Sequence, residues 1–122
     1  MIDKKTREDN LSKDENTEKW IAAYTKPRHE KVAYDQLINN GFTAYLPLLR
    51  QKRKWSDRKK WVELPLFKSY VFVKIHLKNS LFVLQTHGIK NVVKLGEEIT
   101  VIRDEEILAI RQMIEGGYEP EG

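Results

Sequence analysis

No cysteine occurs in the 122 residues, so the chain forms no disulfide, offers no thiolate nucleophile and cannot hold zinc through sulfur. Long apolar runs are also missing. Nothing approaches the ~20 consecutive apolar residues of a membrane-spanning helix, and the N-terminus lacks a signal-peptide core. The expectation is a cytoplasmic protein with no membrane contact. Acidic residues are scarce in the middle of the chain, where only Asp57 and Glu63 fall between Asp35 and Glu97. Two carboxylates among so many cations make acid/base catalysis a poor fit. His29, His76 and His87 lie far apart in sequence without metal-ligand spacing. No glycine-rich phosphate loop or nucleophile motif is present. The reading is a non-enzyme with no metal or cofactor.

What is present is charge, unevenly spread. Residues 1–19 carry five basic and six acidic side chains, residues 20–96 fifteen and four, and residues 97–122 two and eight. A strongly positive centre points to a polyanion or to an oppositely charged protein surface. Residues 1–18 are too polar to offset their ordering entropy and are expected to be disordered. A single domain is expected over 19–115, with 116–122 as the start of a linker.

Within that domain, Lys19–Thr25 reads as a strand with Trp20, Ala22 and Tyr24 on one face. Pro27 suits the first turn of a helix that Gly41 stops. Phe42–Leu49 is a second strand, interrupted by Pro47. Seven of the eleven residues from Arg50 to Lys60 are basic, and Ser56-Asp57 supplies turn chemistry between Trp55 and Trp61, so a protruding β-hairpin is expected. Tyr70–Ile75 is the central strand, with Val71, Val73 and Ile75 facing a core and Tyr70, Phe72 and Lys74 facing outward. A short helix over Ser80–His87 follows, then strands around Gly96, then a helix capped by Asp104. The fold class is α+β: a mainly antiparallel sheet of about four strands flanked by helices.

Three features carry functional weight. An outward aromatic face on the central strand, with Phe67 just upstream, suits a surface that receives a partner. Lys52, Arg53, Lys54, Arg58 and Lys59 on the hairpin could neutralise phosphates while a tryptophan stacks on a base. Lys26, Arg28 and His29 at the first helix start form a second candidate nucleic-acid site. Residues 68–75 partly resemble the RNP1 octamer of RNA-recognition motifs, matching at Lys68, Tyr70, Phe72 and Val73 but lacking the glycine at 69. An RRM-like domain that binds single-stranded RNA is therefore the alternative.

A broader pattern runs from Trp20…Tyr24-Thr25…Glu30-Lys31-Val32-Ala33 through Gly41-Phe42…Tyr45-Leu46-Pro47 and Pro65-Leu66-Phe67…Tyr70-Val71-Phe72-Val73 to Thr86-His87-Gly88-Ile89 and the closing helix. It resembles the NusG N-terminal (NGN) domain, and the basic insertion is most similar to specialised paralogues of the RfaH and UpxY type. The resemblance implies a transcription elongation or antitermination factor that reduces pausing or termination, and a monomer is expected. It implies docking on the RNA polymerase β′ clamp helices through Tyr24, Phe67, Tyr70 and Phe72. It also implies contact with the β gate loop at Asn79 and Ser80, and with non-template DNA at Lys26, Arg28 and His29. Lys68-Ser69 stands where the family usually has Pro-Gly or Pro-Asn. The family's C-terminal KOW domain is absent from these 122 residues, which stop where its linker is expected to begin.

Overall fold

The computed structural model describes residues 17–55 and 58–116. The expected tail over 1–18 and linker over 116–122 lie almost wholly outside these residues, as does the Ser56-Asp57 turn. Strand β1 (Lys19–Thr25) is the middle of an antiparallel sheet ordered β2-β5-β1-β6, where β2 is Thr43–Tyr45, β5 Tyr70–Ile75 and β6 Ile89–Val92. A short strand numbered β9 (Val101–Ile102) shares the β1 edge with β6, pairing Trp20 and Ile21 while β6 pairs the other end. Helix α1 (Glu30–Asn39), the five-residue α2 (Ser80–Leu84) and α3 (Asp104–Glu115) flank it.

Strand parity decides the core. Ile21, Ala23, Val71, Val73 and Ile75 project to one face and are at most 2% exposed, packed on Ala33 and Leu37 of α1 and Val83 of α2. Each fully buried side chain of this kind contributes about 1.5–3 kcal/mol. The opposite face carries Trp20, Ala22 and Phe72, which cluster with Ile107 of α3. Helices therefore cover the sheet on both sides, and the outer face is closed along part of its length. This corrects the expectation of a wholly uncovered aromatic face: Phe72 is only 7% exposed.

Local departures from the sequence reading have specific causes. Helix α1 begins at Glu30, not at Pro27, because Arg28 sits in the left-handed region at φ 62° and cannot be helical. Asn40 and Gly41 (φ 89°) end it as expected. Pro47 separates β2 from β3 (Leu48–Trp55), which pairs with β4 (Arg58–Pro65) as a separate two-stranded ribbon. A 3-10 turn, Leu77–Asn79, precedes α2, and α2 stops at Leu84. Gly88 (φ 92°) then lies so close to α1 that a Cβ there would stand 3.2 Å from the Ala33 Cβ. Strands β7 (Lys94–Leu95) and β8 (Glu98–Ile99) turn around Gly96. The last helix is capped by Arg103, one residue earlier than expected, and its backbone N–H donates to the Glu106 carboxylate at 3.3 Å.

Candidate functional site

The outer sheet face divides at Phe72. Toward α3, Phe72 stacks on Tyr45 with centroids 6.4 Å apart, and the Arg111 guanidinium lies 4.3 Å over the Tyr45 ring. Burial pushes the Tyr45 phenol above its ordinary pKa, against the opposing pull of Arg111. Further along the face, Tyr24 and Tyr70 are direct cross-strand partners with rings 4.9 Å apart, and Tyr70 packs against the cluster of Trp20, Ala22, Phe72 and Ile107. Phe67 meets the edge of Phe72 at 5.9 Å. Tyr24 and Phe67 remain 36% and 39% exposed, and Tyr70 is half-buried. Hydrogen bonding with Tyr24, then desolvation, holds the Tyr70 phenol above its usual pKa, so Tyr70 presents a neutral ring and hydroxyl at physiological pH. Two open rings, Tyr24 and Phe67, thus lie against the half-buried Tyr70 and the buried Phe72 respectively.

That cluster is positioned by the turn before β5. Ser69 adopts φ 64°, its N–H donates to the Glu30 carboxylate at 2.8 Å, and its carbonyl accepts from Thr25 N–H at 2.9 Å. Glu30, the first residue of α1, is 8% exposed. A buried carboxylate therefore ties the helix start to the strand that presents Tyr70.

The basic residues fall into two places. A groove of about 720 Å³ lies between the α1 start and the hairpin stem; its lining includes the cations Arg28, Lys31, Arg53 and Lys68, the carboxylates Glu30 and Glu63, and several leucines. It brings Arg28 and Arg53, 25 positions apart, to one cavity; Lys26 and His29 do not line it. His29 Nδ1 donates to the Pro27 carbonyl at 2.8 Å, and its ring lies 6.1 Å from His87, which the sequence had left distant. Lys52, Lys54 and Lys59 occupy the other side of the hairpin by strand parity, and Arg58 stands opposite Trp55 in register. Among the described residues, no three His, Asp or Glu side chains are grouped to hold a metal, and no helix is long and apolar enough to cross a membrane.

The family model described as NusG, transcription termination factor nusG, matches residues 18–111. The chain belongs to the NusG family. A solved structure concerned with domain interaction in Thermotoga maritima NusG is similar at 21% identity with a TM-score of 0.54, covering 88% of this chain and 62% of that one. At that identity the likeness concerns the fold, and this chain spans about three-fifths of its neighbour's length. A comparison with curated proteins finds no match.

Within this NusG-family fold, Asn79 and Ser80 are half-buried at the far end of β5 from Tyr70, about 20 Å away along a strand of this length. The sequence reading missed their neighbours Leu81 and Phe82, which are 60% and 58% exposed. Helix α2 is apolar almost throughout, and only Val83 of it is buried. An all-apolar run too short to bury every side was the available signal.

Proposed function

We propose that this chain docks on elongating RNA polymerase through Tyr24, Phe67 and Tyr70, supported from below by Phe72, and thereby reduces pausing or termination. The observation that carries the reading is an exposed aromatic cluster on a sheet face that the protein's own helix otherwise covers. Exposed contiguous rings of this kind are typical of partner surfaces, and such residues dominate interface energetics. Family membership supports RNA polymerase as the partner; in this reading the rings meet the β′ clamp helices, and Asn79 and Ser80 at the other end of β5 meet the β gate loop. Two contacts some distance apart suit a factor that holds the polymerase clamp closed.

The groove cations, together with Lys26, His29 and the hairpin lysines, are the nucleic-acid side of the proposal, with non-template DNA as ligand. The basic hairpin is what favours a specialised paralogue of the RfaH or UpxY type over a general factor. Burial of Phe72 weighs against the alternative of RNA binding by an RRM-like sheet, because its ring is not free to stack on a base. The test is affinity for core polymerase and pause duration on a defined template. Tyr70→Ala is expected to weaken polymerase binding by ~2 kcal/mol or more and to restore pausing. Wild-type values in both assays would reject the docking surface.

A further inference from the structure

The β3–β4 ribbon has two faces, and its register sorts them. Arg50 opposes Glu63, Lys52 opposes Trp61 and Lys54 opposes Lys59 on one face, while Arg53 opposes Lys60 on the other. Like charges directly opposite one another destabilise a two-stranded ribbon, so the Lys54–Lys59 and Arg53–Lys60 pairs are a poor arrangement for stability alone and a good one for a polyanion. Trp61 sharpens the point. It is 49% exposed, and the Arg50 guanidinium and Lys52 ammonium lie 4.9 Å and 5.8 Å from its ring centre. Arg50 stands in register with Glu63, yet its guanidinium lies over the indole. The face is thus an open π-surface ringed by long cationic side chains whose heads can swing toward phosphates when a base takes their place.

We propose that this face binds single-stranded nucleic acid, with a base stacked on Trp61 and with Arg50, Lys52, Lys54 and Lys59 on the flanking phosphates. The inference rests on the nucleic-acid half of the proposed function and not on its polymerase half. A single strand is favoured over a duplex because stacking on an indole needs an unstacked base, whereas base faces inside a duplex are occupied by their neighbours. The shared chemistry of DNA and RNA strands serves the site equally, and the experiment separates them.

The full chain is titrated with fluorescent oligonucleotides of about ten residues, as single-stranded DNA, single-stranded RNA and duplex, across a salt series. Single strands of one or both kinds are expected to bind more tightly than duplex. Trp61→Ala should weaken that binding about tenfold, and Trp61→Tyr should restore it to within about threefold. Lys54→Gln combined with Lys59→Gln should flatten the slope of log affinity against log salt by about 1.4. Affinity unchanged in Trp61→Ala, or duplex bound more tightly than either strand, overturns the proposal. If the lysine variant weakens binding and Trp61→Ala does not, stacking is wrong while a nucleic-acid role for the hairpin stands. Absence of any salt-sensitive binding removes both.

Discussion

Phe72 and Phe67 meet edge to face, and their unequal burial predicts different effects that mutation should separate. Phe72, 7% exposed, is held between Tyr45 and Phe67 in the cluster closed by Ile107. Truncating such a ring to Ala removes its transfer free energy and leaves a cavity, about 3–5 kcal/mol together. For a domain of this size, whose total stability is about 5–15 kcal/mol, that loss lowers the midpoint of thermal unfolding by more than about 10 °C. Phe67 is 39% exposed and already meets water, so Phe67→Ala should cost about 1 kcal/mol of stability. Its loss should appear in polymerase affinity instead. Urea denaturation followed by circular dichroism, beside polymerase binding at a temperature where every variant is folded, reads both quantities. Phe72→Leu keeps an apolar side chain and should lose about 1–2 kcal/mol, a guard against a variant that fails to fold. The reasoning is refuted if Phe72→Ala unfolds at the wild-type midpoint, or if Phe67→Ala is as destabilised as Phe72→Ala.

Other consequences follow from single contacts. Ser69→Gly should raise stability by about 0.5–1 kcal/mol, because glycine adopts φ 64° without the steric cost a serine bears; a lower denaturation midpoint would contradict this. Glu30→Ala should lower stability by about 1.5–3 kcal/mol through the lost bond to Ser69 N–H, read in the same assay, with Glu30→Gln intermediate. Gly88→Ala should destabilise by at least about 2 kcal/mol, since both its positive φ and the Ala33 contact oppose a side chain. Tyr24→Phe should return the Tyr70 pKa toward its ordinary value in a tyrosinate absorbance titration. Because the folded pKa is the higher one, the associated stability is complete below the ordinary tyrosine range and lost as pH rises through the folded value.

Much of the fold was legible because strand parity and punctuation are local. Val71, Val73 and Ile75 are buried as their alternation implies, Gly41 ends α1, Pro47 breaks the second strand, and the Arg50–Lys60 region is a hairpin. What stayed hidden depends on contacts between distant segments. Nothing near Phe72 announces that Ile107, 35 positions later, will cover it, so exposure of the outer face was overestimated. The groove that joins Arg28 to Arg53 depends on how the hairpin leans on α1, which no spacing encodes. Left-handed Arg28 and Ser69 carry no glycine or asparagine to mark them. At Ser69 the family habit of Gly or Asn was the one available sign of a positive φ, and the structure supplies its physical reason.

The central claim is that a polymerase surface covers the open rings. A photo-reactive benzoylphenylalanine placed at Phe67 in a reconstituted elongation complex tests it most directly, with the same group at Val32 on the opposite layer as control. The account predicts a crosslink to the β′ clamp helices from position 67 and none from 32. Equal crosslinking from both positions, or none from 67 in a complex that contains the protein, would contradict it.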